Sequence, residues 1–210
     1  MEQNIVNEAA LKDRDYTVII DKSGSMHVTD TPQGSRWKSA FETTLGFAHK
    51  MATLDPDGLT LYLFNNMFKR HDNVKPDAIQ NVWDEHDPSG STNLAAVLKD
   101  SLDNFFYRKE RNEIKANGEI ILVVTDGVPD DEKLVQDHIV AATKKMTNEK
   151  ELGILFLQVG KDVAATEYLQ KLDDDLVAKA GAKWDIVDTK TYEQIGNMSL
   201  TQVLLDAIND

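Results

Sequence analysis

The sequence predicts an α/β fold: a doubly wound, mostly parallel central sheet with helices on both faces and one short antiparallel edge strand. Three observations lead there. Apolar runs of strand length alternate along the chain with longer amphipathic segments. Two of the runs, Ile120-Ile121-Leu122-Val123-Val124 and Ile154-Leu155-Phe156-Leu157, are apolar throughout rather than at every second residue, the pattern of strands covered on both faces. No repeat, low-complexity tract or long linker divides the 210 residues, so a single domain over 1–210 is expected. A chain of this size buries roughly 70% of its unfolded surface and can be held by its core alone.

The elements follow in order. Residues 1–14 form a polar lead-in of mixed charge without the apolar centre of a signal peptide. Tyr16-Thr17-Val18-Ile19-Ile20 is the first strand. In Arg36–Leu54 the residues Trp37, Ala40, Phe41, Thr44, Ala48 and Met51 recur at helical spacing. Leu59–Phe64 is a strand, and the polar stretch Met67–His71 suits the edge of the sheet. Leu94, Val97, Leu98, Leu102 and Phe105 mark a second helix, ahead of the strand at Ile120–Val124. Leu134, His138, Ile139, Ala142 and Met146 mark a third, with His138 expected as a core histidine. After the strand at Ile154–Leu157 comes a helix carrying Tyr168, Leu169, Leu172 and Leu176. Trp184–Val187 is expected as the last strand, and Leu200, Val203, Leu204, Ala207 and Ile208 as one face of a C-terminal helix.

Composition narrows the function. Thirty-six acidic against 23 basic residues give a net charge of −13, which disfavours nucleic acid, since phosphate binding needs clustered cations. No apolar run approaches the roughly 20 residues of a membrane span. The chain has no cysteine, so disulfides and thiolate metal sites are unavailable, as suits a reducing compartment. A cytoplasmic location is the expectation.

Chemistry concentrates where strands end. Asp21-Lys22-Ser23-Gly24-Ser25 follows the first strand directly, Gly90-Ser91-Thr92 precedes a helix, and Thr125-Asp126-Gly127 follows the strand at Ile120–Val124. Asp21 and Asp126 therefore each sit just past the C-terminal end of a strand, where doubly wound sheets bind ligands. Carboxylates and hydroxyls are hard oxygen donors, suited to Mg²⁺ or Mn²⁺ rather than zinc or copper. Taken singly, each segment is equally a turn or a helix cap.

Together, the Asp-x-Ser-x-Ser stretch, the separate Thr92 and the separate Asp126 resemble the metal-ion-dependent adhesion site of von Willebrand factor A domains, over nearly the whole chain. The resemblance implies a Rossmann-like fold. It implies a Mg²⁺ ion, with Mn²⁺ or Ca²⁺ as substitutes, bound by Ser23, Ser25 and Thr92 with Asp21 and Asp126 as charged partners, directly or through water. It further implies that the remaining ligand is an Asp or Glu carboxylate of a partner protein, and that the module is non-catalytic and works within a multi-protein assembly. The alternative is a metal-dependent hydrolase or phosphotransferase built on the Asp21 loop. Phosphatases of the haloacid-dehalogenase type place a second Asp where this chain has Ser23, which weighs against it. Gly160-Lys161-Asp162 lacks the glycine spacing of a phosphate loop and suits a strand-to-helix turn. The loops His27–Gly34, Val128–Asp131 and Gly160–Val163 flank the site and are expected to set partner choice, with Asp30 and Asp130 as candidates for doing so.

Overall fold

The computed structural model describes residues 8–209; residues 1–7 of the polar lead-in lie outside them. Six strands form the central sheet: β1 (Asp15–Asp21), β4 (Leu59–Phe64), β5 (Phe68–Val74), β6 (Glu119–Thr125), β7 (Leu152–Gln158) and β8 (Val187–Thr191), in the spatial order β5-β4-β1-β6-β7-β8. Every neighbouring pair is parallel except β4 and β5, which make an antiparallel hairpin at one edge. A two-stranded ribbon, β2 (Thr29–Thr31) with β3 (Gly34–Ser35), stands apart from the sheet. The architecture is the expected α/β one, a doubly wound, mostly parallel sheet with one antiparallel edge strand.

All seven residues of β6 and of β7 are buried, as their unbroken apolar runs require. Side-chain alternation sorts them into two cores. Val18, Ile20, Leu122, Val124, Leu155 and Leu157 face one side, and Ile19, Ile121, Val123, Ile154 and Phe156 the other. The first side is covered by α1 (Arg36–Leu54), α2 (Pro76–Asp84) and α7 (Leu200–Asp206). The second is covered by α3 (Leu94–Glu110), α4 (Glu132–Lys145) and α5 (Val163–Asp174). A single turn, α6 (Tyr192–Ile195), follows β8 and is closed by a capping box between Thr191 and Gln194.

Four expectations need correction or extension. The last strand runs Val187–Thr191 rather than Trp184–Val187: parallel pairing with β7 begins at Ile154↔Val187 and continues into polar Thr189, Lys190 and Thr191. An edge strand needs apolar residues on one side only, so its polar half reads as loop. In α4 the core face is Val135, Ile139 and Ala142, whereas Leu134 is 42% exposed and His138 only half-buried. The helix is rotated by one residue from the expected face. The edge strand β5 extends to Val74. Nine residues from Pro76 to Asp84 form a helix the periodicity did not show; proline occupies its first turn, and buried Trp83 stacks on Trp37 of α1 with ring centroids 4.0 Å apart. Within the polar lead-in, Leu11 is buried and accepts a hydrogen bond at its carbonyl from Tyr16 Oη (2.6 Å).

Candidate metal centre

Strand order reverses at β1: the chain leaves β1 for β4 on one side and returns through β6 on the other. The crevice between the C-terminal ends of β1 and β6 is where such a sheet leaves its loops splayed. Parallel register sets Ile20 beside Val124, so the next residues meet. Thr125 Oγ1 donates to Asp21 Oδ2 at 2.7 Å, and Asp126 follows one residue on.

Four of the five expected site residues are joined by this register and by the turn after β1. Ser23 N–H donates to Asp21 Oδ1 at 2.7 Å, so the tight-turn reading of Asp21 is realised as well. Ser23 Oγ lies 3.0 Å from Ser25 Oγ, and Ser25 Oγ donates to Asp126 Oδ1 at 2.8 Å. Asp21 and Asp126 are fully buried at the floor, Ser23 is buried above them, and Ser25 is exposed at the mouth.

Thr92 reaches the same rim through backbone ties. Gly24 N–H donates to Gly90 O at 3.1 Å, and Ser89 N–H to Lys22 O at 2.7 Å. Gly90 has φ +80°, and a Cβ there would stand 2.0 Å from Asn66 Oδ1, so the approach of these loops needs a glycine. Asp130 then locks the Thr92 loop to the Asp126 loop. Its Oδ1 accepts from Thr92 N–H (3.1 Å), its Oδ2 from Ser91 Oγ (2.7 Å), and its own N–H donates to Thr92 O (3.0 Å). Asp130 therefore ties the two loops together while remaining exposed at the rim.

Sequence reasoning missed Arg36. Its Nη1 donates to Asp126 Oδ2 at 2.8 Å, while Nε and Nη2 grip Asp30 Oδ1 and Oδ2 at 3.0 and 2.7 Å. Asp30, too, is thus occupied internally. The guanidinium is held by both carboxylates well above its usual range, Asp30's hydrogen bond being the larger cause. Gly160, with φ +79°, packs its Cα over that guanidinium, and a Cβ there would stand 2.3 Å from Arg36 Nε. One signal was present: an arginine in the first turn of a helix opposes the helix dipole, which favours a carboxylate beside it.

Electrostatically the two floor carboxylates differ. Asp126 has Arg36. Asp21 has only neutral donors, and among the described residues no Lys or Arg forms an ion pair with it. Burial, and then the charge of Asp126, push its carboxyl up to about 6. A fully buried carboxylate without a cation costs several kcal/mol, so the position is unfavourable as it stands and suits an added positive charge. Among the described residues no group of three or more His, Cys, Asp or Glu converges to hold a metal. What converges is two carboxylates and hydroxyls, a donor set that fits a hard, oxygen-seeking divalent ion and not zinc or copper.

Comparison with solved structures finds the same fold in proteins of distant sequence. The chain is similar to a manganese-loaded TRAP protein of Plasmodium vivax (TM-score 0.62, 14% identity, covering 93% of this chain and 72% of that one). It is similar to the D319A mutant of the PilB minor pilin of Streptococcus sanguinis (TM-score 0.60, 14% identity, 95% of this chain and 60% of that one). A third is the pilus adhesin SpaC of Lactobacillus rhamnosus GG (TM-score 0.58, 12% identity, 94% of this chain). The chain spans 60% of the length of the pilin and 30% of that of the adhesin. No family model matches the sequence, and no curated protein matches it. At these identities the likeness establishes the fold.

Proposed function

We propose that this chain is a non-catalytic protein-binding module whose rim holds a divalent cation, Mg²⁺ with Mn²⁺ or Ca²⁺ as substitutes, through Asp21, Ser23, Ser25, Thr92 and Asp126. The observation that carries the reading is Asp21, a fully buried carboxylate beside a second one, with hydroxyls around it and, among the described residues, no Lys or Arg paired with it. A bound ion would supply a coordination position that an Asp or Glu carboxylate of a partner protein completes. The residues themselves do the rest. Asp21 and Asp126 provide the charge, Ser23 and Ser25 present oxygens from floor to mouth, and Asp130 keeps Thr92 on the rim. That a structural neighbour is described as manganese-loaded agrees with the choice of ion.

The surface around the mouth favours a protein partner over a small anion. Among the described residues, five of the seven exposed large apolar side chains, Val28, Met67, Phe68, Leu134 and Val163, lie at the ends of elements that open on this rim. An apolar border around a polar centre is the anatomy of a protein interface. The hydrolase alternative gains no support: His27, the histidine of the Asp21 loop, is turned to Pro88 O at 2.9 Å. A place inside the cell belongs to the proposal on the strength of the cysteine-free sequence, and fractionation tests it.

The deciding experiment is calorimetric titration of Mn²⁺ and Mg²⁺ into the wild type and Asp21→Ala, followed by capture of partner from lysate with Mg²⁺, with chelator, and with Asp21→Ala. Saturable binding lost in the variant, and a partner held only by the metal-loaded wild type, are expected. No metal binding by the wild type, or a partner indifferent to chelator, sinks the proposal.

A further inference from the structure

We propose that Arg36, clamped between Asp30 and Asp126, is a built-in counter-cation that sets the affinity of this site for divalent ions and keeps its floor assembled without one. The inference rests on the metal-site reading and adds a positioning residue to it.

The geometry is specific. Two guanidinium nitrogens fork onto Asp30, at 2.7 and 3.0 Å, while the third reaches Asp126 Oδ2 at 2.8 Å. This leaves Asp126 Oδ1, the oxygen that takes the Ser25 hydroxyl, facing the other proposed ligands. Only that edge of the carboxylate is left to the metal. A fork of this kind fixes orientation as well as distance, which a lysine could not do. The backbone is shaped around it: Gly160 leaves room that any Cβ would take from the guanidinium. Arg36 is 8% exposed, so its charge is poorly screened.

The charge balance gives the clamp a direction. Asp30, Arg36 and Asp126 together carry one negative charge, and Asp21 adds a second when ionised. Neutralising Arg36 would make the triad more negative and draw a divalent ion harder. Neutralising Asp30 would leave the guanidinium's charge turned on Asp126 alone and oppose the ion. The two partners of a single ion pair should thus shift metal affinity in opposite senses. Asp30 is also the end of the clamp that faces outward. Its side chain is 28% exposed and lines a cavity of about 230 Å³ with Lys161, Tyr192 and Glu193, so the clamp is open to influence from solvent.

The test measures Mn²⁺ affinity by calorimetry for wild type, Arg36→Met and Asp30→Asn, together with melting in chelator. Arg36→Met should bind Mn²⁺ on the order of tenfold more tightly and Asp30→Asn on the order of tenfold more weakly, while Arg36→Met melts lower without metal. Arg36→Gln, which is shorter and uncharged but keeps a polar amide donor, replaces the methionine variant if that one does not fold. Weakening in both variants would mean the ion pair only holds the loops in shape, and it overturns the proposal. Unchanged affinity in both also overturns it. A wild type that binds no Mn²⁺ removes this inference and the metal reading together, so the two failures are told apart by the wild type alone.

Discussion

Replacing Asp21 by asparagine should stabilise the metal-free protein and abolish its response to divalent ions. Burial and the neighbouring Asp126 raise the Asp21 carboxyl from 3.8 to about 6. Each unit is worth about 1.4 kcal/mol between the two protonation states, so keeping Asp21 ionised at pH 7 costs about 3 kcal/mol. Asparagine has nearly the same shape and carries no charge. Its oxygen can still accept from Ser23 N–H, and the Thr125 hydroxyl can turn to accept instead of donate. For a domain of this size, about 3 kcal/mol corresponds to roughly 6–12 °C in melting temperature. The pH dependence carries the same sign. The folded protein holds the Asp21 proton to higher pH than the unfolded chain does, so the wild type loses stability as pH rises from about 4 to about 6 and stays lower above that. Asp21→Asn lacks that loss, and the gap between the two should open across this window and vanish near pH 4. The assay is thermal melting in chelator across pH, repeated at pH 7 with millimolar Mg²⁺. There the wild type should gain about 2.7 kcal/mol at a hundredfold excess over Kd, and the variant nothing. An Asp21→Asn protein that melts below the wild type in chelator at pH 7, or that Mg²⁺ stabilises as much, would refute the reasoning.

Three further outcomes are expected. Gly160→Ala, forced into a left-handed backbone and against Arg36, should lose about 1–3 kcal/mol in denaturant melts, and a loss under half a kcal/mol would show that Arg36 moves aside freely. Arg108→Met leaves the fully buried Glu119, held by Arg108 and by Thr17 Oγ1 at 2.6 Å, without its cation. It should destabilise by about 3–5 kcal/mol with Mn²⁺ affinity unchanged, because the pair lies at the opposite end of the sheet from Asp21 and Asp126. Val163→Asp, on a side chain 70% exposed at the rim, should leave melting and Mn²⁺ binding as they are and weaken capture of the partner by tenfold or more; capture at wild-type strength would place the interface elsewhere.

The comparison of Asp130 with Arg36 shows where sequence reading stopped. Asp130 was legible as a rim carboxylate, since the loop after β6 had to end there. That it also ties down the Thr92 loop depended on a contact 38 residues distant along the chain. Arg36 and Asp126 are 90 residues apart, and nothing local to either announces the pair. The same limit explains β8 and α2. Polar Thr189–Thr191 become strand only because β7 offers an unpaired edge, and Pro76–Asp84 becomes helix over a stretch too short for its period to show.

What the chain determined by itself was whatever repeats over a few residues: unbroken apolar runs long enough for buried strands, amphipathic stretches between them, and oxygen-bearing loops placed just past strand ends. Those patterns follow from burial and from side-chain period, both of which act locally. Tertiary structure alone decided the pairing of charges on the rim, with Arg36 turned to Asp126 and Asp30, Asp130 folded back onto Thr92, and Asp21 left beside neutral donors. The reason is physical. A charge seeks whichever opposite charge the register brings near, and that register is set by the whole sheet.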